Sequence, residues 1–350
     1  MNLIYEHGGD IYGRKTELDF SVSTNPLGIS EAVKNAYINS VSLIEKYPDN
    51  DCRVLRKLVA GRMNGDSKTK SGFAVLPENI FFGCGAADII YKLVYAVKPK
   101  TALVASPTFS EYENALLSAG CIVRRFYLKE ENGFAPEEEI LNERRADIVF
   151  MCNPNNPTGR AADEKLLYEL SEKCRAEKSV FAVDECFAEL SDIASVSRFC
   201  RNAVIINAFT KTYAMAGLRL GYMIGDTEII EKVKLISPPW CAGTAAQKCA
   251  EAALSDDGYL KASRAFIKSE RQFLYENLNA VKGVKAFVSD APFIMFKADK
   301  GLFEALSKRG ILIRKCANFD GLGDEFFRIG IKRREDNIRL LEEIEKWQCR

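Results

Sequence analysis

The chain has 350 residues, which is enough for one large domain and a smaller one with a sizeable apolar core. Its 49 Lys and Arg residues nearly balance its 48 Asp and Glu residues, and no basic stripe points to nucleic acid or to an anionic membrane surface. No apolar run approaches the ~18 residues that a membrane span needs, and the N-terminal stretch is too charged for the core of a signal peptide. We therefore predict a cytoplasmic protein without a nucleic-acid or membrane partner.

Eleven cysteines and a single histidine, His7, limit the kinds of site that the chain can form. None of the cysteines is spaced as CxxC, and Cys84, Cys152 and Cys186 lie in apolar, strand-like runs, which favours reduced core thiols over a disulfide framework or a zinc site. A Ser-His-Asp triad or a histidine-rich metal site would have to use His7. We predict no metal.

The predicted elements change character along the chain. The N-terminal segment holds "LDFSVSTNPLG" and one helix-like stretch, too little for a core of its own. From residue 79 to about 235, short apolar runs alternate with amphipathic helical segments, which predicts a mostly parallel sheet covered by helices. The predicted strands are "NIFFGC", "TALVASP", "CIVRRFYL", "ADIVFMCNP", "SVFAVDEC", "AVIINAFT" and "LRLGYMIG".

From about residue 242, long helical stretches precede the short strands "KAFVSD", "FIMFKA", "ILIRKC" and "FFRIGI", an α+β pattern. We predict that residues 1–45 form an N-terminal arm and part of the small domain, that residues 46–241 form a large ligand-binding domain, and that residues 242–350 form the small C-terminal domain.

Ligands of open α/β sheets bind outside the carboxyl ends of the strands, and unusual residues follow several predicted strands. In "GCGAAD", residues 83–88, glycines would let the backbone approach a phosphate at a helix N-terminus, although a tight turn without a ligand explains them equally well. In "SPTFSEY", Phe109 could offer its ring to a planar ligand or simply pack in the core.

Two further loops carry polar groups after buried strands. "NPNNPTG", residues 153–159, is rigid and can direct asparagine amides at one oxygen. Asp184 follows an apolar run, where a carboxylate is costly unless it is paired, although a turn-capping aspartate is the alternative.

Lys211 ends the next apolar run, in "NAFTKTYAMAGLRLGY", among residues with little bulk. A partly desolvated lysine loses its proton more easily and can form a Schiff base. Thr210 adds a hydroxyl donor, and Arg219 offers a planar fork of donors to a phosphate. Together these loops fit a planar, phosphorylated aldehyde, and pyridoxal 5'-phosphate (PLP) meets every role.

Over essentially its whole length, the chain resembles fold-type I PLP-dependent enzymes of the class I/II aminotransferase superfamily, on "NPNNPTG", "VDE" and "TK" followed by "AGLRLGY". The resemblance implies an α/β, PLP-dependent transferase (aspartate aminotransferase-like) fold with a mostly parallel sheet in the large domain and a smaller α+β domain. It also implies Lys211 as the Schiff-base lysine, Asp184 as the ring-nitrogen partner and Asn156 as the donor to the ring hydroxyl. The implied phosphate contacts are Gly85, Ala86, Ala87, Thr210 and Arg219, with Phe109 stacked on the ring.

One departure from the family pattern lies at position 187. A tyrosine is frequent there and its hydroxyl reaches the cofactor ring, whereas Phe187 cannot donate. We expect one hydrogen bond to the cofactor to be missing, with no catalytic group lost.

The same resemblance implies the substrate contacts. Arg328 in "FFRIGI" matches the arginine that clamps the substrate α-carboxylate, and Asn25 in "TNPLG" would lie near the same group. "EHGGDIYG" and "ILIRKCANFDGLGDEFFRIGIK" resemble the L-threonine O-3-phosphate decarboxylase branch of the cobalamin pathway, which places His7, Gly8 and Arg314 at the substrate phosphate. Histidinol-phosphate aminotransferases share the other motifs, and residue types leave decarboxylation and transamination both open.

Tyr47 in "KYPDND" matches a family tyrosine that reaches the cofactor phosphate of a second subunit, so we predict a homodimer with shared active sites. The expected substrate is a small phosphorylated amino acid or amine. A nicotinamide-dependent dehydrogenase would explain "GCGAAD" but neither Lys211 nor "NPNNPTG". A non-catalytic PLP-binding module would more often carry a DNA-binding extension, and we see none.

Overall fold

The structure is a computed structural model that describes residues 7–13, 15–65 and 74–348. Its strands are, in chain order, β1 (Leu18–Asp19), β2 (Ile80–Gly83), β3 (Thr101–Ser106), β4 (Ile122–Tyr127), β5 (Ile148–Cys152), β6 (Val180–Asp184), β7 (Ala203–Ala208), β8 (Gly221–Ile224), β9 (Lys285–Ala286), β10 (Phe293–Lys297), β11 (Ile311–Leu312), β12 (Arg314–Lys315) and β13 (Phe326–Gly330). Its helices are α1 (Glu31–Asn39), α2 (Arg53–Gly65), α3 (Gly85–Val97), α4 (Ser110–Ser118), α5 (Glu164–Ala176), α6 (Phe209–Thr212), α7 (Thr227–Ile236), α8 (Thr244–Leu254), α9 (Asp257–Ala280), α10 (Leu302–Ser307) and α11 (Arg334–Gln348).

The large sheet has seven strands in the order β2-β8-β7-β6-β5-β3-β4. Strands β4, β3, β5, β6 and β7 pair in parallel, and β8 runs antiparallel to both of its neighbours. All residues of β5 and β7 are buried, as expected for strands covered by helices on both faces. The predicted α/β fold with a mostly parallel sheet is therefore confirmed, and every strand predicted in this part of the chain is present.

The helices of this layer follow from local sequence. Asp163 caps α5 by accepting a hydrogen bond from Lys165 N at 2.8 Å, and Lys173 and Arg175 lie in its last turn, where they complement the helix dipole. Capping of this kind fixes the residue at which a helix begins, and therefore the position of the loop that joins the helix to the preceding strand.

A second, four-stranded sheet has the order β12-β13-β10-β9, with antiparallel neighbours. The segment "ILIRKC", predicted as one strand, is divided into β11 and β12, because β11 pairs in parallel with β1 of the N-terminal arm whereas β12 pairs with β13. The arm is joined to both, since Phe20 N donates to Leu312 O at 2.7 Å and Gly330 N donates to Phe20 O at 2.8 Å. These bonds support our proposal that the arm belongs with the small domain.

Two main cores follow the two sheets. One contains Leu55 and Val59 of α2, residues of the large sheet, and also Cys249 and Ala250 of α8, so α8 packs on the large-sheet side although it begins after residue 242. The other lies under the small sheet and includes Leu274 of α9. Burying one such leucine contributes about 1.5–3 kcal/mol. The boundaries at residues 46 and 242 stay predictions.

Three further properties concern the described part of the chain. Its cysteines are all free thiols. None of its helices is both long and apolar enough to cross a membrane. It contains no group of three or more His, Cys, Asp or Glu side chains arranged to hold a metal ion.

We expect opposite effects on stability from two glycine substitutions, one where the arm contacts β13 and one in α2. A methyl group at Gly330 would collide with the carbonyl oxygen of Val22 and lie 3.1 Å from Ser23 Cα, so Gly330→Ala should lower the free energy of unfolding by roughly 1–3 kcal/mol. Gly61 lies in α2 with no atom within 4 Å of an added methyl group, so Gly61→Ala should raise it by about 0.5–1 kcal/mol. Chemical denaturation of both variants checks this, and equal stabilities would contradict the close packing of the arm on β13.

Candidate functional site

A cavity of about 360 Å³ lies where the N-terminal arm, the carboxyl ends of the large-sheet strands and the small sheet meet. Most of the predicted site residues line it. These are His7, Gly8, Ala86, Ala87, Phe109, Asn156, Asp184, Thr210, Lys211, Arg219, Arg314 and Arg328.

Lys211 enters the cavity from α6, directly after the buried strand β7. Burial, and then the positive charge of Arg328, lower the pKa of Lys211 to about 8. In the described part of the chain, Nζ of Lys211 has no hydrogen-bond partner. A substantial fraction of the amine is therefore neutral near physiological pH and can act as a nucleophile.

Asp184 ends β6, and the parallel register with β7 pairs it with Ile206, so it lies at the same sheet edge as Lys211. Its Oδ2 accepts from the hydroxyl of Tyr112 at 2.7 Å and its Oδ1 accepts from Cys186 N at 2.9 Å. Burial raises the pKa of Asp184, and these hydrogen bonds act in the opposite direction. A cationic N–H placed opposite this carboxylate would keep it ionised.

Sequence reasoning missed Tyr112. It is fully buried and its ring stacks on Phe150 at 5.1 Å between centroids. The phenol orients Asp184 by its hydrogen bond, and the ring of Phe109 meets it edge-on at 5.7 Å. The only signal was its place three residues after Phe109, which could have suggested that both face the same ligand.

The "NPNNPTG" loop uses most of its amides to hold its own shape. Asn155 Nδ2 donates to Pro107 O at 2.8 Å and to Thr158 Oγ1 at 3.0 Å, and Asn153 Oδ1 accepts from Ala162 N at 2.9 Å. Asn156 differs, because its Oδ1 accepts from Nη1 of Arg328 and its amide group lies in the cavity wall.

The N-terminus of α3 and Arg219 form a cradle for an anion. Gly85 has φ +86°, and a methyl group there would lie 2.7 Å from Nη2 of Arg219. A methyl group at Gly221 would lie 2.8 Å from Ala86 N. The glycines thus let Arg219 and the first N–H groups of α3 come together, the arrangement that binds phosphate at helix N-termini.

Two arginines stand opposite each other in the small sheet, because Arg314 of β12 pairs with Arg328 of β13. Both are 7% exposed. Nη2 of Arg328 donates to Ser21 O at 2.9 Å, and Nη2 of Arg314 donates to Asn318 Oδ1 at 2.7 Å. Burial lowers the pKa of Arg328 to about 10, so it stays cationic at neutral pH.

His7 closes one side of the cavity. Its Nε2 lies 3.0 Å from Glu111 Oε1, and Asn114 and Tyr91 also donate to that carboxylate. Burial alone would raise the pKa of Glu111, but the hydrogen bonds from His7 and Asn114 outweigh it and hold that pKa below its usual value. Gly8 follows with its Cα against the backbone of Ser21, where any side chain would collide.

Gly85 lies beside the cavity as part of the cradle, while two other predicted residues lie outside the lining. Asn25 Nδ2 donates to Thr212 O at 2.9 Å and to Ser263 Oγ at 2.7 Å, so its amide supports the turn after Lys211, and this geometry does not support the predicted carboxylate contact. Tyr47 is 79% exposed and stacks on Trp240 at 4.5 Å, away from the cavity of its own chain. Phe187 lines the cavity with its ring against Phe293, and no hydroxyl takes that place.

Comparisons with known proteins agree with this arrangement. The family model described as aminotransferase class I and II matches residues 15–344. The threonine-phosphate decarboxylase of Salmonella typhimurium is 29% identical over 353 residues, covering 96% of this chain and 94% of that protein. Histidinol-phosphate aminotransferase 2 of Archaeoglobus fulgidus is 31% identical over 336 residues, covering 94% and 93%. The crystal structure of the histidinol-phosphate aminotransferase from Clostridium acetobutylicum matches with a TM-score of 0.85 and 29% identity, covering 95% of this chain and 99% of that chain.

The lowered pKa of Lys211 predicts an unusual pH dependence of its reactivity. Below its pKa of about 8 the amine is protonated and unreactive, and above it the neutral form dominates. In ligand-free protein treated with formaldehyde and a mild hydride donor between about pH 6.5 and 9.5, methylation of Lys211 should reach half its plateau rate near pH 8. The control in the same sample is Lys232, which is exposed. Its hydrogen bond to Glu228 raises its pKa. Identical pH profiles in peptide mass spectra would contradict the assignment.

Proposed function

Because the chain belongs to the class I and II aminotransferase family, whose members depend on PLP, we propose that it decarboxylates L-threonine O-3-phosphate to (R)-1-amino-2-propanol O-2-phosphate. The observation that carries this proposal is the pair of buried arginines, Arg314 and Arg328, in the same cavity as Lys211. That substrate bears both a carboxylate and a phosphate, so it offers one anionic group to each arginine.

The residues present fit the cofactor. A side chain at Gly85 would collide with Arg219, so glycine there lets Arg219 lie beside the first N–H groups of α3, and Lys211 supplies a partly neutral amine. We assign Lys211 to the aldehyde and Asp184 to the ring nitrogen. Asn156 would donate to the ring hydroxyl, Phe109 would cover the ring face, and the phosphate would be held by Ala86, Ala87, Thr210 and Arg219. When bound, PLP supplies an electron sink for the electrons released at the substrate Cα.

The chain's own residues then account for binding and proton transfer. Arg328 binds the carboxylate, while Arg314, His7 and Gly8 bind the substrate phosphate and keep the molecule in one orientation. The bond between Cα and the carboxylate carbon breaks, CO₂ leaves, and one proton is added to Cα. Lys211 Nζ lies in the cavity and can deliver this proton, since its pKa of about 8 lets it hold a proton at neutral pH and release it readily.

The alternative is an aminotransferase of the histidinol-phosphate type with 2-oxoglutarate as amino acceptor. The relative from Archaeoglobus fulgidus favours it, since that protein matches this chain as well as the decarboxylase does. Such an enzyme would use the two arginines in different half-reactions, because histidinol phosphate lacks a carboxylate. The two reactions differ in whether a keto acid is required.

Incubation with L-threonine O-3-phosphate alone separates the two functions. We expect sustained release of CO₂, equimolar with the amine product, without any keto acid, because decarboxylation returns the cofactor to its aldehyde form in each cycle. CO₂ is followed by isotope release and the cofactor by its absorbance. Conversion of the cofactor to the amine form once per subunit, with turnover only after 2-oxoglutarate is added, would instead identify an aminotransferase.

We also propose that the enzyme is a homodimer with shared active sites. Large apolar side chains are exposed along residues 37–47 and at Trp240, with Ile38 at 58%, Val41 at 60% and Ile44 at 68% exposed. A monomer rarely leaves so many large apolar side chains exposed within one short segment, and a second copy would cover them. Tyr47, which lies outside the lining of the cavity of its own chain, would then reach the cofactor phosphate of the other subunit.

Complementation between two inactive variants tests the shared site. Tyr47→Ala and Lys211→Ala should each be inactive or severely impaired. In a mixed dimer, one site combines an intact Lys211 with an intact Tyr47, so refolding an equal mixture should restore about a quarter of wild-type activity. Mixtures that stay at the activity of the separate variants would place Tyr47 outside the neighbouring site, and a monomer in sedimentation would exclude sharing altogether.

A further inference from the structure

Ser23 is a buried cavity residue whose side chain is incompletely bonded. It lies between β1 and α1, is 1% exposed and lines the cavity. Among the described residues its Oγ has no hydrogen-bond partner. Leaving a buried hydroxyl unbonded costs about 1–3 kcal/mol, and such groups are uncommon unless something completes them.

Only one other cavity residue in the described ranges shares this property, and it is Arg328, at its Nε. Each Nη group of Arg328 makes one hydrogen bond, one to Asn156 Oδ1 and the other to Ser21 O, whereas its Nε makes none. The two unbonded groups, Oγ of Ser23 and Nε of Arg328, can both donate. Both groups therefore need an acceptor. A carboxylate fits, because its two oxygens accept hydrogen bonds and do not donate them.

The fold places the two groups on one wall. Ser23 packs on Gly330, since a methyl group there would lie 3.1 Å from Ser23 Cα. Gly330 is two residues beyond Arg328 on β13, and alternate residues of a strand face the same side. Ser21, two residues before Ser23, accepts the bond from Arg328 and also lines the cavity.

Asn25, in contrast, is committed elsewhere. Its Nδ2 donates to Thr212 O and Ser263 Oγ, and its Oδ1 accepts from Leu27 N at 3.0 Å. The amide of Asn25 is thus bonded within the chain, whereas the hydroxyl of Ser23 is left for another partner.

We propose that the Ser23 hydroxyl donates a hydrogen bond to the substrate α-carboxylate beside Arg328. This assignment rests on the proposed function in one respect, that the site accepts an amino acid with a free carboxylate. Loss of a hydrogen bond to a charged group should lower kcat/KM by on the order of 10-fold to 100-fold. Because Oγ has no partner within the chain, its removal should leave the folded state as stable as before, or more stable.

The test compares Ser23→Ala and Ser23→Cys with the wild-type holoenzyme. Cysteine keeps the shape of the side chain, with a somewhat larger sulfur in place of the oxygen, but is a weak donor, so its kinetics should resemble those of the alanine variant. The matched control is Ser179→Ala, since Ser179 Oγ is also buried without a partner among the described residues but lies at the far end of β6 from Asp184. The readouts are kcat and KM for L-threonine O-3-phosphate, the inhibition constant of the amine product, the melting temperature and the cofactor absorbance.

We expect kcat/KM to fall by on the order of 10-fold to 100-fold in both Ser23 variants, with full cofactor occupancy and no loss of melting temperature. Inhibition by (R)-1-amino-2-propanol O-2-phosphate, which has no carboxylate, should change by less than about 2-fold. Unchanged kcat/KM, a Ser23→Cys enzyme with wild-type kinetics, or an equal loss of product inhibition would each overturn the assignment.

Failure of the proposed reaction would be recognised separately. If the wild-type enzyme turns over only with 2-oxoglutarate, the same variants are measured with glutamate and with histidinol phosphate. The Ser23 assignment then predicts a raised KM for glutamate and an unchanged KM for histidinol phosphate. Equal changes for the two substrates would overturn it in that case too.

Discussion

The structure depends on holding several cations in one largely buried cavity. Arg314 and Arg328 face each other on neighbouring strands, and Lys211 lies close enough for Arg328 to lower its pKa. Such an arrangement is unfavourable in a low-dielectric interior unless anions complete it. Asp184 is the buried carboxylate that ends a strand at this site, and it is already bonded to Tyr112. The remaining positive charge is therefore available to the phosphate of the cofactor and to the anionic groups of the substrate that we propose.

Rigid connections keep these charges in place, and they span all parts of the fold. Asn25 joins the arm to α9 and to the turn after Lys211, through its bonds to Ser263 Oγ and Thr212 O and through its N–H to Lys211 O at 3.0 Å. Ser21 holds Arg328 by its carbonyl and accepts from Gly9 N at 2.8 Å by its hydroxyl. The arm is thus a structural part of the site, and its position follows from the pairing of β1 with β11. Loss of this pairing would release both a guanidinium and the lysine turn.

The fold and the cofactor side of the site were predictable because their signals are local. A strand end, a glycine turn and a lysine among small residues lie within a few positions of each other, as around Lys211 and Gly85. The features that the sequence did not reveal depend on distant contacts. The hydroxyl of Tyr112 meets a carboxylate 72 positions away, and the amide of Asn25 meets groups 187 and 238 positions away. Sequence alone gives no means to decide which of Ser23 and Asn25 faces the cavity, since that depends on how the arm turns against Gly330.

The hydrogen bonds that Arg328 makes affect whether the site would favour decarboxylation or transamination. An interaction that is stronger in the ground state than in the transition state raises the barrier. A carboxylate that must leave as CO₂ loses its charge as it departs, so a tight bidentate clamp would oppose decarboxylation, whereas a transaminated amino acid keeps its carboxylate throughout. Each Nη group of Arg328 makes one bond, to Asn156 or to Ser21, and Nε makes none, so these bonds hold the guanidinium in place while other N–H groups remain for a ligand. In the decarboxylation that we propose, Arg328 and the Ser23 hydroxyl would orient the carboxylate, and the electron sink of the cofactor would have to offset the interaction that is lost as CO₂ leaves.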